Sequence, residues 1–274
     1  MRFILFLIFL GACVYGGYWS WKNVPQVKKF VNEKITRGEF PTLEIRYTPQ
    51  QIMELHKGEL LKGKGYSFLE PKLSFYPCLL METKYSKDHH TTTEGVLLWG
   101  LSDGEMITDA SSWNKTHGFQ DCLVTGANKS DFNIIRALVK GGGSLDRDQI
   151  YRTFNVESET IDSWIESCSK KKLIVLSGNL YRLHFANPKL ETEPKTLFNE
   201  RIVTQTASNA IKVKERYTPS QIKKLTRIAF GKDFAIRSMS EVFLPVYNIA
   251  ILNPDGSQLT TSWNALNGKR MDSH

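Results

Sequence analysis

Apolar residues run without any charge over residues 3–21, FILFLIFLGACVYGGYWSW, and the rest of the chain carries them instead in helical and strand rhythms. A helix of those 19 residues, rising about 1.5 Å per residue, nearly spans a bilayer core of about 30 Å. Tyr18, Trp19 and Trp21 gather at its far end, where amphipathic rings favour the headgroup layer, and Lys22 follows. Residues 1–22 therefore read as a membrane anchor or leader. Residues 23–42 read as a juxtamembrane segment, with a helix over 23–35.

Past the leader the rhythm repeats itself. Arg46-Tyr47-Thr48-Pro49-Gln50-Gln51-Ile52 returns as Arg216-Tyr217-Thr218-Pro219-Ser220-Gln221-Ile222, and Phe75, Pro77, Trp99 and Gly104 return in order as Phe243, Pro245, Trp263 and Gly268. The heptapeptide predicts a helix start. Thr48 and Thr218 cap the first turn, Pro49 and Pro219 sit where no amide hydrogen is needed, and Gln51 and Gln221 close a capping box. Ile52, Leu55 and residues 59–61, and later Ile222, Leu225, Ile228 and Ala229, supply apolar positions that would face a sheet. Glycines 63, 65 and 231 mark the stops. Strands are expected next: 78–85 and 95–100 around a polar excursion over 86–94, and 246–252 and 257–263 around the turn Asn253-Pro254-Asp255-Gly256.

Between the copies, residues 131–185 alternate helices and a hairpin. A first helix over 133–140 ends at three glycines, a second covers 145–154, and a third covers 158–171 with Ile161, Trp164, Ile165 and Cys168 on one side. Residues 173–176 and 180–185 then flank Ser177-Gly178-Asn179 as a hairpin. The whole is expected to be an α+β protein. A first α/β unit (43–126) and a second (211–274), each a helix plus an antiparallel hairpin, flank the module at 131–186, with a linker at 187–210.

The chain is basic, with 36 Lys and Arg against 28 Asp and Glu, which biases it towards acidic partners without choosing one. The insert does not share the excess: residues 131–185 hold eight Lys or Arg and seven Asp or Glu. No cysteine pair has C-x-x-C spacing, and the three beyond the leader leave one without a mate, so they read as small apolar residues. His89-His90 lies in the polar excursion without a carboxylate cluster, His117 and Cys122 lack an orienting third group, and the glycines at 141–143 lack a phosphate-loop Lys. Hence no catalytic residue, metal or cofactor is expected. Trp99, Trp113, Trp164 and Trp263 read as core residues.

Three resemblances follow from these motifs. Helix, helix, helix and hairpin over 131–186 resembles the winged helix-turn-helix family, whose DNA-binding members lay the third helix in the major groove. Here the start of that helix carries Glu157, Glu159, Asp162 and Glu166, which would oppose phosphates, so the surface is expected to meet a protein and nucleic acid is disfavoured. A helix followed by a hairpin and a Gly-containing turn resembles PepSY-type modules of bacterial envelope proteins, which implies binding or inhibition. Leu10-Gly11-Ala12-Cys13 resembles a lipobox and makes Cys13 a candidate lipidation site.

The expectation is a non-catalytic bacterial envelope protein, held to membrane lipid by its N-terminus, that binds or scaffolds a protein partner and takes no small molecule. Its body is expected outside the cytoplasm. The alternative is a membrane-bound winged-helix transcription regulator with a cytoplasmic body, favoured by Lys22, Lys28, Lys29, Lys34 and Arg37 just after the leader.

Overall fold

The computed structural model describes residues 38–88, 91–191, 193–206 and 210–271. The leader, Cys13, the helix expected over 23–35 and His89-His90 lie outside the described residues. No helix among the described residues is long and apolar enough to cross a membrane.

The fold is mixed α+β. Strand β1 (Glu39–Leu43) precedes helices α1 (Pro49–Leu55) and α2 (Lys57–Leu60), a short β2 (Ser67–Phe68), the long β3 (Lys72–Asp88), β4 (Thr91–Gly100), β5 (Met106–Asp109) and β6 (Asn114–Lys115). Helix α3 (Phe119–Thr125) leads into α4 (Lys129–Lys140), β7 (Ser144–Leu145), α5 (Arg147–Thr153), α6 (Ser158–Lys170), β8 (Ile174–Ser177) and β9 (Leu180–Leu183). The chain then forms β10 (Ile202–Thr206), β11 (Ile211–Lys212), α7 (Pro219–Phe230), β12 (Phe234–Leu252) and β13 (Gln258–Asn264). Among the described residues β7, β9 and β8 make a three-stranded sheet, and the other strands join one sheet with the order β10-β1-β12-β3-β4-β5-β6.

Both repeated heptapeptides start helices by the same device. Thr48 and Thr218 each accept from the amide of the Gln three residues on, and that Gln side chain accepts the Thr amide in return. The copies meet along β3 and β12, which pair antiparallel with Phe75 opposite Pro245 and Pro77 opposite Phe243. This register sets each repeated residue against the partner of its own equivalent. Thr42 likewise pairs in parallel with Phe243, as Lys212 does with Phe75. Phe40 stands edge-on to both Phe75 and Phe243, at 4.9 and 5.1 Å.

Each helix serves the other copy's hairpin. Ile222, Leu225 and Ala229 of α7 bury against Leu79 and Met81 of β3 and Leu97 and Trp99 of β4. Ile52 and Leu60 of the first copy bury against Tyr247, Ile249 and Ile251 of β12 and Trp263 of β13. The backbone repeats the exchange, since the amides of Arg46 and Tyr47 donate to the Ala265 carbonyl while those of Arg216 and Tyr217 donate to Leu101. Glycine is required at both turns. Gly104 (φ 75°) would drive a Cβ to 2.9 Å from the Tyr217 ring, and Gly268 (φ 69°) to 3.1 Å from Tyr47. Units cut along the chain are therefore not the units of packing.

The opposite face of the sheet is covered by the chain itself. Cys78, Leu98, Ile107, Val242, Leu244 and Val246 form its core, with Phe198, Trp113 and Met271 packed over them. The described part of residues 187–210, expected as a linker, is strapped down along the sheet at Thr196 and over 202–206. Buried Thr196 donates through Oγ1 to the Ile107 carbonyl (2.6 Å) and accepts from the Leu98 amide (3.0 Å), and β10 pairs with β1. The described residues of the polar excursion are also strand: Lys84, Tyr85 and Ser86 pair with Glu94, Thr93 and Thr92, and Arg237 holds Glu94 at 2.7 Å. The threonines suit a pleated backbone that continues past the core, which is why a polar run need not be a loop.

Helix α4 begins at Lys129, before the predicted residue 133, because Asn128 and Asp131 form a second kind of capping box. Phe119, Phe132, Ile135 and Leu138 continue the same core that holds Leu97, Trp99 and Ile222. Thus the insert lies over the outside of α7. Nothing comparable among the described residues covers α1, and the equivalents Leu225 and Leu55 are 4% and 67% exposed.

Candidate functional site

Two surfaces gather polar groups beyond what the fold uses. The first is the outward side of α6. Ile161, Ile165 and Cys168 are buried, which turns Glu159, Ser163, Glu166 and Lys170 to solvent, with Glu157 exposed just before the helix. Asp162 stands apart from the other predicted carboxylates. It accepts from Arg147 Nη2 at 2.6 Å and from Tyr151 Oη at 2.5 Å, and these bonds hold it below the usual carboxylate range. Glu166 pairs with Lys170 at 2.6 Å, so Glu157 and Glu159 are the carboxylates left most open.

The lysine run that closes α6 is structural. Lys171 reaches Asp131 Oδ2 at 2.5 Å and the Gly126 carbonyl at 3.3 Å, tying α6 to the start of α4. Burial pushes the Asp131 pKa up, but hydrogen bonds from the Asn128 amide, Lys171 and Ser167, with the Lys171 charge, outweigh it and leave it below normal.

The second surface is a cleft of about 450 Å3 bordered by the turns that follow Trp99 and Trp263. Equivalent positions differ in charge there: Asp103 and Glu105 in the first copy, Asn267 and Lys269 in the second. The first copy's acids are consumed internally. Asp103 is ion-paired to Lys115 and accepts from the Glu105 amide. Glu105 accepts from the amides of Gly118 and Gln120, each at 2.9 Å, and from Thr116 Oγ1 at 2.7 Å. Burial raises its pKa, and those hydrogen bonds only partly oppose the rise.

The second copy leaves donors open. Asn264 is 1% exposed; its Oδ1 accepts from the Leu266 amide at 2.8 Å, and its Nδ2 has no partner. Trp113 also lines the cleft; it packs over the core around Cys78 and Leu98 but is only half-buried, and its Nε1 is buried without a partner. Trp99 and Trp263 are fully buried, as expected of core residues.

The other sequence candidates are not assembled into a site. Cys122 is buried, with its thiol pushed up by burial and then by the Glu105 charge, whereas His117 is exposed at the cleft. Cys78, Cys122 and Cys168 are buried free thiols. No group of three or more His, Cys, Asp or Glu among the described residues is placed to hold a metal. Sequence reasoning missed Asn264, Lys189 and Lys269, although the repeated Trp and Gly positions marked the turn that carries two of them.

Fold and surfaces together define a mixed α+β protein with an open cleft and an acidic helix face. Comparison with family models, characterised proteins and solved structures finds no match to the chain.

Proposed function

We propose that the chain is a non-catalytic recognition component of the bacterial envelope, tethered to membrane lipid through residues 1–22, that docks a protein with a basic surface on the exposed side of α6. The carrying observation is the outward placement of Glu157, Glu159 and Glu166 on a helix whose apolar side is committed to the core. The order α4, β7, α5, α6, β8, β9 supports reading the insert as a winged helix, in which α6 occupies the reading position. Carboxylates there repel a polyphosphate backbone and match a cationic partner.

A photo-crosslinking residue at exposed position 163 tests the reading in intact cells. The expected result is one discrete protein adduct, lost when Glu157, Glu159 and Glu166 are together replaced by Lys. No adduct, or salt-dependent binding of duplex DNA by the unaltered chain, overturns it. DNA binding would instead favour the membrane-bound regulator, which the lysines and arginine of residues 22–37 support by the positive-inside rule. Orientation is read separately from Ser163→Cys in a Cys13→Ser background with an impermeant thiol reagent, because Cys78, Cys122 and Cys168 are buried.

A further inference from the structure

We infer that the cleft between the two repeated turns binds a small organic anion, carrying a carboxylate or phosphate on a body of sugar-like size. The inference is independent of the α6 surface and runs against the expectation, from sequence, that no small molecule is bound. It begins with an imbalance of hydrogen-bonding groups. Asn264 Nδ2 and Trp113 Nε1 can only donate; both are buried without partners, in residues that line the cleft. A buried amide hydrogen left unmade is costly, so an acceptor arriving in the cleft recovers what folding left open. Ser112 Oγ is unpartnered at the same wall.

Charge points the same way. Lys189 and Lys269 border the cleft and make no ion pair among the described residues, while Arg270 beside them pairs with Glu59 at 3.2 Å near the surface. The opposing acids are spent, Asp103 on Lys115 and Glu105 on backbone amides and Thr116. Exposed Asp121 is the remaining carboxylate at the rim. Both lysines are exposed and solvated, so they attract an anion to the cleft rather than require one, and a cation would be repelled.

The cleft has room for more than a bare ion. A cleft of about 450 Å3 falls within the range of small-molecule sites, roughly 300–1,000 Å3. The half-buried Trp113 indole and Met271 give part of its wall an apolar surface suited to the ligand's body.

The test is calorimetric titration of the full chain with citrate, glucose 1-phosphate and neutral glucose. Binding of citrate or glucose 1-phosphate but not glucose is expected, and which of the two binds tells carboxylate from phosphate. Asn264→Asp keeps the oxygen that the Leu266 amide needs and replaces the open donor by a charge of the wrong sign, so affinity should fall about tenfold or more. Lys269→Gln alters an exposed side chain, is expected to leave the fold intact, and should weaken binding by a similar factor. Lys64→Gln, exposed and away from the cleft, should leave it unchanged. No binding of either anion, equal binding of glucose, or anion binding that ignores Lys269→Gln overturns the inference.

Discussion

If the helices are exchanged between the copies, truncating Ile52 must be felt by the hairpin far from it in sequence and not by the one that follows it. Ile52, Ile222, Leu97 and Ile249 are all 0% exposed, so each truncation to Ala removes a fully buried side chain. Such changes cost about 2–5 kcal/mol apiece. Against a total stability of about 5–15 kcal/mol for a domain, each is measurable without abolishing folding. Double-mutant cycles then assign the packing. Ile52 and Ile249 share one core, so Ile52→Ala with Ile249→Ala should show a coupling of about 0.5–3 kcal/mol. Ile52 and Leu97 lie in different cores, so their effects should add to within about 0.5 kcal/mol. For Ile222 the assignment reverses, with coupling to Leu97 and additivity with Ile249. Urea unfolding followed by circular dichroism supplies the free energies. Coupling of Ile52 to Leu97 with additivity to Ile249 would mean that each helix lies on its own hairpin, and would refute the exchange.

Three further outcomes are expected. Asp131 has a folded-state pKa below its unfolded value of about 3.9, so its stabilisation is present above that pH and lost as the pH falls through the folded value; Asp131→Ala should cost about 1–3 kcal/mol at pH 7 and flatten the acid side of a stability–pH curve. Gly118→Ala places a Cβ 2.6 Å from the Phe185 ring at φ 126°, and thermal unfolding should register a loss of about 1–3 kcal/mol. Peptide-level mass spectrometry should find Cys78, Cys122 and Cys168 unmodified by a maleimide in the native chain and fully modified in urea; native labelling of any of them contradicts its burial.

Local chemistry was legible in the residues, and long-range pairing was not. Thr48-Pro49 with Gln51, and Thr218-Pro219 with Gln221, announced both helix starts, because a capping box is settled within four positions. The turn at Asn253-Pro254-Asp255-Gly256 and the hairpin around Gly178 were readable for the same reason. The partner of each helix was not readable, since Ile52 and Ile222 have the same pattern whichever hairpin they cover. Thr196 lies in a polar stretch that looks like a linker, yet its hydroxyl closes two backbone groups of neighbouring strands. The cleft escaped notice because its lining residues Trp113, Lys189, Asn264 and Lys269 are brought together only by the folded sheet.

The reciprocal seating of the helices also dictates an order of events during synthesis. The apolar side of β3 and β4, with Leu79, Met81, Leu97 and Trp99, leaves the ribosome well before the helix that shields it. At about 5–20 residues per second that wait is on the order of ten seconds. A nascent chain stalled before residue 219 therefore presents a greasy sheet with no lid of its own, and a late frameshift should leave the early hairpin prone to aggregate.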